Sequence, residues 1–118
     1  MVTVLYGLLL AGCSSGERTS RLAAHLGPPV HYQSASGETF VAQYGSLADD
    51  TLHFVRVQMP DGRTYTLPQV ISASGVRYTD ERELVWWCHQ GTVRVDVRAP
   101  DGNWQTKYPA LQEAPKKR

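Results

Sequence analysis

The sequence predicts an all-β fold, a small antiparallel barrel of about eight strands behind a flexible N-terminal tether. Three observations carry this expectation. Val93, Val95 and Val97 alternate with Thr92, Arg94, Asp96 and Arg98, the period-two signature of a strand with one buried face. The tripeptide Pro-Asp-Gly occurs twice, at 60–62 and 100–102, each time between β-patterned runs. About eight short apolar runs separated by turn residues follow Pro29, the layout of a small barrel or sandwich.

With 118 residues there is room for one core and no second domain. A chain that is 42% hydrophobic and 19% charged is too apolar to stay unfolded. Lys and Arg number 12 against 11 acidic residues, and the first charge is Glu17, so the balance is near neutral throughout. That argues against nucleic acid as a partner, since such binders carry a basic face. The one basic run, Lys116-Lys117-Arg118, reads as a solvated tail over 113–118.

Residues 2–10 are nearly all apolar and lead into Leu10-Ala11-Gly12-Cys13, followed by Ser14-Ser15-Gly16. This order resembles a lipobox. Small residues suit the cut, and the Cys13 thiol would accept a diacylglycerol that anchors the new N-terminus. Each buried CH₂ contributes on the order of 0.8 kcal/mol to that anchor. The apolar run is far short of the ~20 residues of a membrane-spanning helix, so 1–12 is expected to be a lipoprotein signal peptide. Ser14, rather than Asp, resembles the sorting of lipoproteins to the outer membrane. The expected location is therefore the bacterial envelope, lipid-anchored and facing the periplasm.

From 13 to 29 the chain is small and polar and is expected to be a lipidated tether. Within it, 19–26 is capable of a short helix. The barrel domain is expected over 30–112, with strands near 30–34, 38–44, 52–59, 63–67, 76–79, 83–88, 92–98 and 104–108. In the third run the apolar phase switches from Leu52 and Phe54 to Val55 and Val57, which predicts a bulge or a strand buried on both faces. Both Pro-Asp-Gly segments predict hairpins, because proline presets φ and glycine accepts φ > 0.

Cofactor and metal signatures are absent from the sequence. His25, His31, His53 and His89 are scattered, and only Cys88-His89 sit together, too few for an ordinary metal site. Neither a metal nor a cofactor is expected. Once Cys13 carries lipid, Cys88 has no partner in the chain. It reads as a buried thiol, since a nucleophilic cysteine needs a positioned base and an adjacent His89 points to the other face of a strand. Asp49-Asp50 and Asp80-Glu81 are carboxylate pairs in expected turns, and sequence neighbours rarely converge as acid and base. No catalytic residue is expected and the chain reads as a non-enzyme.

The stretch Ile71-Ser72-Ala73-Ser74-Gly75-Val76-Arg77-Tyr78-Thr79 resembles the Ser-Gly-x-x-Tyr loop of the membrane-bound inhibitors of c-type lysozyme. The resemblance extends over about 30–98: His31-Tyr32, Gly37-Glu38-Thr39-Phe40-Val41-Ala42, Tyr65-Thr66-Leu67, the loop, and Trp86-Trp87. It implies a lipoprotein with an eight-stranded antiparallel barrel, a c-type lysozyme as partner, and a loop that enters the lysozyme cleft with Ser74 near the two catalytic carboxylates. A serine hydroxyl can donate to one of these carboxyl groups and accept from the other. By the same resemblance Gly75 lets the loop tip turn, Arg77 and Tyr78 belong to the motif, and Tyr78 either holds the loop to the barrel or contacts the cleft. From the residues alone, Ser74-Gly75 also reads as a plain turn and Tyr78 as a half-buried strand aromatic.

Two positions depart from that family. Its second motif, Trp-x-Lys-Gly, aligns without gaps on Trp86, Cys88 and His89, and with two extra residues on Gln90-Gly91, so the lysine is missing in either alignment. His89 supplies a cation only when protonated, which for an ordinary imidazole means below about pH 6.5. Relatives often carry a disulfide, but Tyr32 is followed by Gln33 and the C-terminal stretch has no cysteine. The missing lysine also supports an alternative, a structural or glycan-binding envelope lipoprotein that keeps the fold without inhibition. The oligomeric state is left open by the sequence.

Overall fold

The computed structural model describes residues 22–47 and 49–115. Cys13, the leader and the Lys116-Lys117-Arg118 run lie outside the described residues. Nine strands follow in order: β1 (Ala24–Leu26), β2 (Val30–Gln33), β3 (Thr39–Leu47), β4 (His53–Gln58), β5 (Thr64–Val70), β6 (Val76–Thr79), β7 (Leu84–His89), β8 (Thr92–Arg98) and β9 (Trp104–Glu113). Among the described residues there is no helix.

All strand pairs are antiparallel, and β2 through β9 close on themselves as an eight-stranded barrel. Closure is made where Tyr32 and Gln33 of β2 meet Glu113 and Gln112 of β9, and the Ala114 N–H donates to the His31 carbonyl at 2.7 Å. Closing the sheet removes most of the unpaired edge that would otherwise recruit other chains.

The ninth strand was not expected. Residues 24–26, part of the helix-capable stretch in the expected tether, are extended and pair with Leu47, Ser46 and Gly45. The cause is a length mismatch: β3 has nine residues and β2 only four, so half of one β3 edge is open after Val30↔Ala42. β1 fills that edge. Pro28 and Pro29 lack N–H groups and interrupt what would otherwise be one strand, while Gly27 keeps the ladder with an N–H to the Tyr44 carbonyl at 2.8 Å.

The two Pro-Asp-Gly hairpins form as expected and are alike. In each, the glycine N–H reaches back to the residue before proline (Met59, Ala99), which in turn pairs with Arg63 or Asn103. The aspartate carboxylate accepts from the backbone N–H two residues on, at 2.9 Å in both. Gly62 and Gly102 have φ of 90° and 87°, the left-handed geometry that a three-residue loop with a glycine bulge requires.

The phase switch in β4 has a different resolution from either expected one. The β3–β4 ladder runs without a break from Val41↔Gln58 to Ser46↔His53, so there is no bulge. Val55 and Val57 fill the core, while Phe54 stays half-buried outside it. Its ring lies over Gly45, where a Cβ would come within 2.7 Å of the ring edge. Glycine therefore creates the shelf for an outward-facing phenylalanine. The bulges occur instead between β8 and β9, where register shifts at Val93/Val95 and Val95/Asp96. Pro109, unable to donate, lies in this irregular stretch.

Inside the barrel Phe40, Leu67, Trp86, Leu111, Val55, Val57 and Val95 are completely buried. Trp86 is the centre: Tyr32 packs edge-on at 5.5 Å and Phe40 tilts against it at 6.2 Å. Its indole N–H donates to the Tyr44 hydroxyl at 3.2 Å. That hydroxyl also meets Tyr32 Oη at 2.8 Å and Cys88 Sγ at 3.2 Å, so the polar ends of the aromatic core satisfy one another. Burial pushes the Tyr44 hydroxyl well above its ordinary range. The Cys88 thiol also moves up, again through burial, against hydrogen bonds that favour the thiolate. It packs against the core but is half-buried, less than the expected full burial.

Candidate functional site

Alternate connections of an antiparallel barrel lie at one end, so the β3–β4 turn, the β5–β6 loop and the β7–β8 turn share an end. Ile71 to Gly75 form the β5–β6 loop. Ile71 is fully exposed, and Ser74, Gly75 and Val76 are exposed as well. Leu52 lies beside the loop base with Ile71, lining a second groove there. A hydroxyl at the loop tip is thus bordered by uncovered apolar side chains.

The loop is tied down by its backbone. The Ser74 carbonyl accepts from Ser72 Oγ at 2.6 Å and from Trp87 Nε1 at 3.0 Å. Gly75 has φ of 66°, and a Cβ there would collide with the Cys88 carbonyl and sit 3.1 Å from both Trp87 Nε1 and the His89 ring. Glycine is required twice over, for the left-handed backbone and for the close approach to β7.

Strand β6 then splits the remaining motif residues by face. Tyr78 points inward, 7% exposed, with its ring 5.8 Å from Tyr44. Burial raises its hydroxyl to about 12, with the neighbouring Cys88 and Tyr32 adding to the rise. Arg77 points outward, pairs with Glu81 at 3.7 Å, and lies across from Trp87 in the ladder.

Trp87 is flanked on its other side by Arg94 of β8. The guanidinium carbons of Arg77 and Arg94 lie 5.8 and 4.5 Å from the Trp87 ring centroid, which makes a cation–aromatic–cation row across three strands. Asp96 holds Arg94 at 3.3 Å and accepts the Thr106 hydroxyl at 2.8 Å. Ser74, Trp87, His89, Thr92, Arg94 and Pro109 together line a shallow recess of about 320 Å³.

The structure therefore brings Ser74, Gly75, Arg77 and His89 to one surface and puts the Tyr78 side chain beneath it. Gln90 and Gly91 make the two-residue β7–β8 turn, with φ of 49° and 81°, between His89 and Thr92, which pair. Trp87 and Arg94 were missed as site residues. A signal existed: a two-residue turn after His89 fixes the β7–β8 register and sets Arg94 opposite Trp87. Among the described residues no group of three metal-ligating side chains converges.

A closed barrel that holds a glycine-pinned loop and a cationic aromatic row at one end is a loop-presenting binding scaffold. Residues 32–104 match the family described as MliC, membrane-bound lysozyme inhibitor of c-type lysozyme. The chain belongs to that family. Among solved structures, MliC of Pseudomonas aeruginosa, crystallised in complex with hen egg white lysozyme, matches with a TM-score of 0.56 and 23% identity over 97% of this chain and 99% of that one. At that identity the likeness concerns the fold. No curated protein matches the chain.

Proposed function

We propose that this protein is a non-enzymatic, stoichiometric inhibitor of c-type lysozyme, attached through lipid on Cys13 to the outer membrane and facing the periplasm. The observation that carries the reading is the Ser74-Gly75 loop tip, exposed, pinned to β7 through the Ser74 carbonyl and ringed by Ile71, Leu52 and Val76.

A lysozyme of this class cleaves with a protonated acid and an ionised carboxylate set close together. Ser74 enters the cleft between them as a hydroxyl that bonds both. Gly75 lets the tip stay flat on β7, Tyr78 anchors the strand from inside, and Arg77 and His89 border the contact. A hydrogen bond to a charged group contributes about 1.5–3 kcal/mol, whereas nanomolar affinity needs about 12 kcal/mol. The remainder comes from apolar burial by the loop rim. Pre-organisation helps, because a loop already fixed by Trp87 and Ser72 loses little freedom on docking.

Titration of hen egg white lysozyme activity with the full-length, detergent-solubilised protein tests this. Inhibition saturating near one to one, and weakened about tenfold or more by Ser74→Ala, is the expected result. A folded protein that leaves lysozyme fully active in molar excess overturns it and favours the structural or glycan-binding alternative.

A further inference from the structure

We infer that Arg94 is the residue that presents a positive charge to an acidic group of the bound lysozyme. The inference rests on the inhibitor reading and adds a specificity residue to it.

Four side chains that carry or can take a positive charge, Arg77, His89, Arg94 and Arg98, lie on β6 to β8, and their settings differ. Arg77 is paired with Glu81, and its side chain is only 27% exposed. It supports one side of Trp87 and has little freedom to reach outward. His89 is exposed but sits at the hairpin end, where its carbonyl accepts from Thr92 Oγ1 at 3.0 Å. Arg98 is at the far end of β8, stacked on Trp104 at 4.7 Å. Arg94 alone combines a permanent charge, a side chain 44% exposed and a place in the lining of the recess beside Ser74.

Its conformation is set in advance from two sides. The Trp87 ring lies 4.5 Å from the guanidinium carbon, and Asp96, 13% exposed and itself bonded by Thr106, takes one edge of the fork. A guanidinium has five donors in a plane, so contact with one carboxylate leaves others for a second acid. Trp87 also donates to the Ser74 carbonyl. One side chain therefore fixes both the inserting hydroxyl and the cation, and their spacing is built into the barrel wall.

Compactness of the cation matters less here than its planarity, since a lysine cannot stack and fork in the same way. The test compares inhibition constants of wild type, Arg94→Gln, Arg94→Lys and Arg77→Gln for hen egg white lysozyme at pH 7.5 and two salt concentrations, with thermal unfolding as the control for fold. Arg94→Gln is expected to weaken inhibition at least tenfold and to flatten the salt dependence of the association rate. Arg94→Lys should fall between, and Arg77→Gln should lose less than Arg94→Gln. Arg94→Gln that inhibits like wild type while Ser74→Ala is weakened overturns the assignment and leaves the inhibitor reading intact. A wild type that does not inhibit overturns both. A second variant, Arg94→Gln with Gln90→Lys, returns a cation to the hairpin turn; recovery of at least threefold over Arg94→Gln supports a need for charge at this edge, and no recovery counts against it.

Discussion

Trp86 and Trp87 are neighbours in sequence and opposites in use. Trp86 is completely buried, packs against Tyr32 and Phe40, and gives its indole N–H to Tyr44. Trp87, on the other face of the same strand, holds Ser74 and stacks between two arginines. A strand has period two, so a single step along β7 separates the residue that stabilises the barrel from the one that shapes the proposed binding surface. The two faces are linked only through the backbone, which lets the outer face vary without loss of the core.

The largest expected effect breaks this division at its core. Trp86→Ala removes the central ring and orphans Tyr44, and should lower unfolding free energy by about 3–5 kcal/mol, measured by denaturant titration. Trp87→Ala should lower it by only about 1 kcal/mol, the scale of cation–aromatic contacts near solvent, while weakening lysozyme inhibition more than tenfold. Equal destabilisation by the two variants would end the distinction.

Gly75→Ala sharpens it from the loop side. Its methyl group meets the Cys88 carbonyl, so the loop must lift from β7; inhibition should drop at least tenfold with a stability loss of about 1–2 kcal/mol. Asp80, in the β6–β7 turn, concerns folding alone. Partial burial raises its carboxyl, but bonds from the backbone N–H groups of Glu83, Arg82 and Leu84 outweigh that and hold it below the ordinary carboxylate range. A lowered folded-state value means stability that is present above about pH 4 and is lost as pH falls through that lowered value. Asp80→Ala should cost about 1–2 kcal/mol at neutral pH, less in acid, and leave inhibition unchanged. The smallest effect is chemical: Cys88, raised by burial beside Tyr44, should alkylate more slowly at pH 8 than a free thiol.

What could be read from the sequence follows from where each feature gets its cause. The two Pro-Asp-Gly hairpins, the β8 alternation and the Ser-Gly-x-x-Tyr loop are local, and they were legible. β1 was not, because Ala24–Leu26 becomes a strand only to cover the β3 edge that the shorter β2 leaves open. Phe54 misled for a similar reason: its outward shelf is made by Gly45 on the next strand. Arg94 was hidden among the alternating polar residues of β8 until the hairpin register set it against Trp87. Pairing between strands, not composition, decides all three.

On the proposed function, the Ser74 loop and the Trp87–Arg94 row form the surface that meets lysozyme. Amide hydrogen exchange of the full-length protein with and without hen egg white lysozyme tests it most directly. Added protection is expected over 71–76 and 87–94, with the Pro-Asp-Gly hairpins at the opposite end unchanged. Protection centred on 59–63 and 99–103, or none anywhere at saturating lysozyme, would contradict it.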